Sequence, residues 1–524
     1  MNKILLSAII ILFGGLGCHA KTAKIPKSNA DSIAAAERTR EIRDSLNVIM
    51  DKAKGGDASA MNEVGTWYYT GKHVAQDYAQ AYEWWKKASL KANVRGIANL
   101  GLCYQLGHGV ERDSIDAIRL YLKSIKEGNK TLLSQRSENA MKSAFDAMLV
   151  GDCYENGIGV NKDYTKAAQF YSQAAAQGSV DGMRQAGICY LNAKENSKAL
   201  QYFERGASKG DLSCEYWAGK MLMGGMSVPS NKQQGVVYLL KAAEGGMPAA
   251  QTEMGILYAE GDGVTKNLQQ AAEWHRKSAL QGNAKGMWNY GNALKDGSGV
   301  SKDYDQALFW MTEASPQGYQ RAFKKMVAEM DSIGNDPFMD YLWGMKLYLI
   351  DGNMKEATEQ FKKVEKAKID EGKIMQSVIL TSQRNEKPNA KKAAKELEKL
   401  APTNPEAAFY LATLYETGNG VAQDMTKAIE LYRKSADMDY GKAQCYLADI
   451  YYEGRGTDKD LATAVSLYQH ALQNRQLTQN GATRLAECYE NGLAGLQTDK
   501  KQAEQLRKWK YQDNIVNVIK ELNL

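Results

Sequence analysis

The chain has 524 residues, and its 67 basic against 61 acidic residues leave a formal net charge of +6. So small an imbalance, with no basic run, excludes an electrostatic nucleic-acid footprint. The length exceeds what one hydrophobic core accommodates, so several domains or a solenoid are expected.

In chain order, Lys3 followed by the apolar stretch Ile4 to Phe13 reads as a secretory signal whose core is too short to span a bilayer as a mature helix. The stretch Gly15-Leu16-Gly17-Cys18 resembles a bacterial lipobox, with Gly15 where that motif carries Leu and Leu16 one place later; ordinary cleavage after Ala20 is the alternative. This reading gives a signal peptide over 1–17, lipid attachment at Cys18 and a polar tether over 18–29. The expected location is exported and lipid-anchored to the outer membrane, facing the periplasm or the cell surface.

Residues 30–56 form one predicted amphipathic helix, with Ile33, Ile42, Leu46, Ile49 and Met50 as its apolar residues and Gly55-Gly56 as its stop. It is expected to cap an array, because terminal repeats expose a core face. From Asp57 a repeat begins. G-x-G-V recurs as Gly107-His-Gly-Val, Gly157-Ile-Gly-Val, Gly261-Asp-Gly-Val, Gly297-Ser-Gly-Val and Gly418-Asn-Gly-Val. The steps Gly71 to Gly107, Gly261 to Gly297 and Gly418 to Gly454 are each 36 residues, a period diagnostic of a repeat architecture.

Each unit has the same grammar. A first helix (helix A) carries an aliphatic residue, a small residue and then an aromatic: Leu100-Gly101…Tyr104, Met254-Gly255…Tyr258, Leu411-Ala412…Tyr415, Leu447-Ala448…Tyr451. These positions share one face, and the small residue permits close approach of a neighbour. The glycine turn follows, then an acidic or amide residue (Asp77, Asp113, Asp163, Asn267, Asp303, Asp424, Asp460) placed to cap the next helix. That second helix (helix B) shows Ala and then an apolar-aromatic pair, as in Ala81…Trp84-Trp85 and Ala428…Leu431-Tyr432. The fold class expected is all-α, an α-solenoid of antiparallel helix pairs in a right-handed superhelix, stabilised by stacking.

On these residues the chain resembles the Sel-one-like repeat, a subclass of the tetratricopeptide-like helical repeats. The resemblance covers 57–319, with an insertion near Asn129 to Glu138 and a unit at Asp181 to Gly210 that lacks the glycine turn. It resumes over 405–524, to about Lys510, where a C-terminal cap follows. Within 320–404, Met339 to Lys368 resembles an ordinary tetratricopeptide unit and Gln376 to Leu400 a degenerate one; this segment either continues the array or hinges it. The resemblance implies a non-enzymatic scaffold or adaptor that binds an envelope protein or an extended peptide on a concave surface lined by helix A. It also implies an alternative known among secreted, cysteine-rich members, a β-lactam- or peptidoglycan-related hydrolase or binder; capture of envelope glycan is a third reading, which the aromatic residues permit. Those members pair cysteines within each repeat, and this chain lacks that pattern.

Cys103, Cys153, Cys189 and Cys488 occupy one repeat position, and equivalent positions on stacked helices lie about 10 Å apart, beyond the roughly 7 Å that a disulfide spans; with Cys214 and Cys445 they are read as buried thiols. Gly206-Ala-Ser208-Lys-Gly210 matches G-x-S-x-G but follows a helix, not the strand that a nucleophile elbow needs. The histidines His19, His73, His108, His275 and His470 lack zinc-ligand spacing, although His73 and His108 share equivalent turns. No catalytic set, metal site or cofactor is expected. The aromatics Tyr104, Tyr154, Tyr190, Tyr258 and Tyr415 are read as core. A helix-A ridge offers Tyr216, Lys220 and Met223; Trp288, Asn292 and Lys295; Phe409, Thr413 and Glu416; then Asp449 and Tyr452. From it Tyr216, Lys220, Trp288, Asn292, Lys295, Phe409 and Tyr452 are the partner-binding candidates, suited to a peptide or to a sugar face on Trp288.

Overall fold

The computed structural model describes residues 29–224, 226–314, 320–334, 336–382, 385 and 388–509. The leader and Cys18 lie outside them, as does the chain from 510 onward. Among the described residues every regular element is helical, and most of the 27 α-helices have 13 residues. The chain divides into two compact units, Met1–Ala193 and Lys194–Leu524.

In both units the repeat grammar becomes geometry in the same way. Asp77, Asp113, Asp163, Asn267, Asp303, Asp424 and Asp460 each accept a backbone N–H from the first turn of helix B at 2.8–3.1 Å, satisfying donors that a helix start leaves free. The first glycine of the turn ends helix A in the left-handed region, as at Gly107 (φ 75°), whose N–H bonds the Cys103 carbonyl at 2.8 Å. The second glycine serves a different contact. A Cβ on Gly109, Gly299 or Gly420 would strike the backbone of Tyr78, Leu268 or Ala390, which begins helix B of the preceding pair.

The small residue of helix A receives a ring from helix B of its own pair. Gly65 lies under Trp85, Gly151 under Tyr171 and Gly344 under Phe361, each with room for no more than a hydrogen. These helix-B rings are fully buried, as are Tyr121, Phe203, Tyr304, Tyr432 and Tyr468 and, from the helix Pro337–Leu349, Phe338 and Tyr341. The helix-A tyrosines read as core divide: Tyr190 and Tyr415 are buried, whereas Tyr104, Tyr154 and Tyr258 are only half-buried. All five lie three places beyond the small residue, so burial differs with what the neighbouring helices cover, and the half-buried ones still pack against the core. Tyr104 there bonds the Tyr82 hydroxyl at 3.2 Å.

In the first unit, Asn29–Lys54 caps the array through Leu46, Ile49, Met50 and Ala53, while Ile42 is left exposed. The insertion forms a helix, Lys130–Asn139, which contributes Leu132 and Leu133 to the core. Its Arg136 lies 2.7 Å from Asp146 and 4.2 Å from the Tyr121 ring centroid, so this buried charge is both paired and stacked.

In the second unit the segment without G-x-G-V forms the pairs Pro337–Leu349 with Met354–Lys366 and Asp370–Thr381 with Ala390–Leu400. One apolar core runs from Ala279 through Phe338 and Phe361 to Ile379, so the stack continues through this segment. The same unit also folds back on itself. Arg276 pairs with Asp439 at 3.1 Å, Gln476 bonds Gln306 at 3.0 Å, and Lys442 approaches Asp305 at 3.7 Å. At the C-terminal end Lys500–Arg507 closes the stack, and Trp509 donates its indole N–H to the Leu477 carbonyl at 2.9 Å.

Candidate functional site

The ridge candidates on Leu212–Met223 and Ala284–Asp296 are mostly engaged with their neighbours. Lys220 lies 3.1 Å from Glu253, which also receives Lys285 at 3.2 Å, so one carboxylate on Pro248–Glu260 ties together three consecutive A helices. Burial pushes the Glu253 carboxyl up, but the two ammonium groups outweigh it and hold it below the usual range. Tyr216 packs on the core beside Trp217, and burial raises its hydroxyl. Trp288 leans on the core, Asn292 returns its amide to the Trp288 carbonyl at 3.0 Å, and Lys295 bonds the adjacent Asp296. These three residues therefore do not form a stripe of unengaged side chains.

The other candidates meet in a denser arrangement on Pro405–Thr417, Gly441–Glu453 and Gln479–Asn491. The Phe409 ring sits 5.6 Å from Tyr432 and Tyr440 and 5.8 Å from Tyr446, whose side is 37% exposed. Arg455, from the turn after Gly441–Glu453, lies 5.7 Å over Tyr446 and pairs with Glu416 at 2.5 Å. Arg484 pairs with Asp449 at 2.9 Å and also with Glu453, and it lies 4.9 Å over Tyr452. Tyr452 in turn donates to Glu487 at 2.9 Å.

Beneath this strip the carboxylates are held by the buried tyrosines of helix B. Tyr432 donates to Glu416 at 2.7 Å, and Tyr468 donates to Asp449. The same device operates in the first unit, where the Tyr171 hydroxyl lies 2.5 Å from Asp152 and 2.7 Å from Glu155 and shares its one proton between them, while burial pushes the Asp152 carboxyl up to about 6. Individually, half-exposed ion pairs contribute little; linked through buried hydroxyls, they fix the orientation of charges and rings across three repeats. The result is a half-exposed surface of alternating aromatic and charged groups in set positions, suited to recognition of a polypeptide.

Ridge spacing alone missed Tyr446, Arg455 and Arg484. A signal was present, because the place immediately before the apolar residue of the helix-A pair carries Asn99, Glu253, Tyr446 and Arg484 in different repeats, and all four reach an adjacent pair. Arg455 occupies the variable place between two turn glycines, from which His108 likewise reaches back to the preceding pair.

The other chemical candidates are held in place. His108 stacks on Tyr78 with 4.1 Å between centroids and bonds Tyr69 at 3.1 Å; His73 packs edge-on to Trp67. Burial lowers His108, and it lowers the buried His275 to about 4. Ser208 ends a helix and donates to the Arg205 carbonyl at 2.7 Å. Cys103, Cys153, Cys189, Cys214, Cys445 and Cys488 are buried and unbridged, and burial pushes the first three thiols up to about 12. Among the described residues no group of three or more His, Cys, Asp or Glu side chains is arranged to hold a metal ion, and no helix is long and apolar enough to cross a membrane.

No curated protein matches the sequence significantly. Solved structures that it is similar to include a protective antigen present in uropathogenic Escherichia coli strains displaying an SLR fold (23% identity, TM-score 0.36, 91% of this chain and 97% of that one). A Sel1 repeat protein from Oxalobacter formigenes is 27% identical at a TM-score of 0.27, over 48% of this chain and 98% of that one. Yeast Tom70 is 15% identical at a TM-score of 0.27, over 89% and 95%. The model of the Sel1 repeat matches residues 58–93, 94–129, 146–179, 180–211, 212–247, 248–283, 284–319, 405–440, 441–474 and 480–506. These matches cover well over half of the sequence, on the helix pairs described above, and the chain belongs to the Sel1 repeat family.

Proposed function

We propose that this protein is a non-enzymatic scaffold of the cell envelope that binds a protein or an extended peptide on the A-helix face of its second unit. The observation that carries the reading is the strip of Phe409, Tyr446, Arg455, Tyr452 and Arg484, where half-exposed rings and charges are fixed by bonds between successive repeats. Preorganised aromatic and arginine side chains are the groups that dominate binding energy at protein interfaces. Replacing Tyr446 and Tyr452 together by Ala is expected to weaken capture of the native partner about tenfold or more, as loss of interface anchors does, with little change in melting temperature. Equal recovery of the partner, identified by mass spectrometry from wild-type and variant purifications, sinks this surface as the binding face.

The envelope location rests on the leader and on Cys18. A diacylated cysteine at the mature N-terminus would hold the scaffold at a membrane through acyl chains, each buried methylene contributing about 0.8 kcal/mol. The Cys18→Ala variant is expected to leave the membrane fraction and to lose the mass of the lipid. A variant that remains membrane-bound, alongside a wild-type chain without lipid, refutes the anchor.

A further inference from the structure

Several turns that lead from a helix B to the next helix A pass through one left-handed residue. Glycine fills that place at Gly128, Gly178, Gly210, Gly246 and Gly282. The turns after Met425–Asp437 and Leu461–Gln473 instead put Asp439 (φ 63°) and Arg475 (φ 57°) there, as others put Ala92 and Lys368. A side chain in this backbone region carries strain that glycine avoids, and strain kept in a native structure points to a use for that side chain. At Asp439 and Arg475 the use is visible.

Both reach across the fold-back of the second unit. Asp439 receives the Arg276 guanidinium at 3.1 Å across 163 residues of chain, and the Arg475 guanidinium lies 3.6 Å from Glu313. Arg475 passes over Gly282, where a Cβ would stand 3.1 Å from its Nη1, so the facing turn keeps the small residue that leaves room for it. Beside them Gln476 accepts the Gly441 N–H at 2.7 Å on its own side and donates to Gln306 at 3.0 Å on the other, and Lys442 approaches Asp305 at 3.7 Å. The opposing helix Tyr304–Ala314 is fixed at its start, where Glu371 accepts the Tyr304 N–H at 2.8 Å.

This contact differs in character from the stack. The core holding Ala279, Ala307 and Ala314 runs on to Ile379 and includes no residue of 437–476, and the cores holding Tyr440 and Cys445 include none of 276–314. Across the fold-back the named contacts are polar instead. Arg276 and Asp439 are 39% and 63% exposed, and Arg475 is 31% exposed. Ion pairs so open to water are individually weak and are screened by salt, whereas apolar cores are not.

We propose that these side chains form an ionic latch: Asp439 and Arg475, held on strained turns, clasp Arg276 and Glu313 and close the second unit on itself, and screening of the pairs lets the two sides part while every helix pair stays folded. The same two turns lead into Gly441–Glu453 and Gln479–Asn491, which carry Tyr446, Tyr452 and Arg484. The latch therefore sets how far those helices stand from the helices around Arg276.

The test uses the full chain with spin labels at Glu273→Cys and Asp437→Cys, exposed positions on the two sides of the fold-back, since the six cysteines described above are buried. From about 0.1 M to about 1 M salt the screening length falls from about 10 Å to about 3 Å, and the inter-label distance is expected to lengthen by about 10 Å, the width of one helix layer. Asp439→Gly combined with Arg475→Gly is expected to give the longer distance at both salt concentrations. Its melting temperature is expected to stay within about 3 °C of the wild type, because relief of the left-handed strain offsets the freer unfolded chain. A wild-type distance unmoved by salt overturns the proposal, and so does a short distance in the double-glycine variant. Lengthening in that variant with a larger fall in melting temperature overturns it too, since the two residues would then serve only the stability of their own turns.

Discussion

Gly109→Ala is expected to cost the first unit about 2–5 kcal/mol, combining the left-handed backbone penalty with overpacking, whereas Gly157→Ala should cost about 1 kcal/mol. Both glycines have positive φ, at 75° and 70°. The difference lies in what a methyl group would meet. At Gly157 the nearest atoms are 3.5 Å away and belong to the same turn, so only the conformational penalty applies. At Gly109 the methyl group would enter the first turn of Tyr78–Leu90, where the Tyr78 carbonyl is committed to its own helix and cannot move aside as a flexible side chain would. Relief requires the two repeats to separate, and separation exposes the Trp85, Tyr69 and Cys103 core between them. Denaturant unfolding of both variants, followed with hydrogen exchange over 78–126, checks the ordering; equal losses would show that the second glycine is needed only for its backbone angle.

Trp85→Ala carries the other large effect, about 3–5 kcal/mol for removing a buried indole and leaving a cavity. Trp85 is 2% exposed, its ring fills the space over Gly65, and its N–H donates to the Asn62 carbonyl at 3.1 Å. Trp85→Phe should recover most of the packing and lose about 1 kcal/mol with the indole hydrogen bond, the Asn62 carbonyl keeping the Thr66 hydroxyl as donor at 2.9 Å. Because each repeat contacts mainly its neighbours, the loss should appear first as fast exchange over 58–106 and leave the second unit unchanged. Uniform loss of protection across the chain would show instead that the repeats unfold as one cooperative body.

The architecture was legible in the sequence because its signals are local. A cap such as Asp113 and the glycine it follows act within one turn, and their spacing states the helix boundaries directly. The tetratricopeptide-like pair at Pro337–Leu349 and Met354–Lys366 was legible for the same reason. Of the five tyrosines read as core, Tyr190 and Tyr415 are buried, while Tyr104, Tyr154 and Tyr258, at the same helix position, only edge the core, because coverage by the neighbouring helices decides burial there. The ridge offered for partner binding maps onto the aromatic and charged strip in part. Phe409 and Tyr452 sit in the strip, but Trp288, Asn292 and Lys295 are engaged locally, because a helical face specifies direction and not what the next repeat offers in return. Least legible was the meeting of Arg276 with Asp439 and Tyr304 with Glu371. Such contacts depend on the summed rotation of every intervening pair, and no short window of sequence contains that sum.

The seat of the second turn glycine also sets a direction along the chain. Gly109 rests on a helix that begins at Tyr78, Gly299 on one that begins at Leu268 and Gly420 on one that begins at Ala390, always a repeat already made when the turn is synthesised. Where this turn occurs, the emerging chain therefore latches backward onto a repeat already made. At Gly109, Gly299 and Gly420 assembly can thus proceed in the order of synthesis, each turn closing on a helix that precedes it.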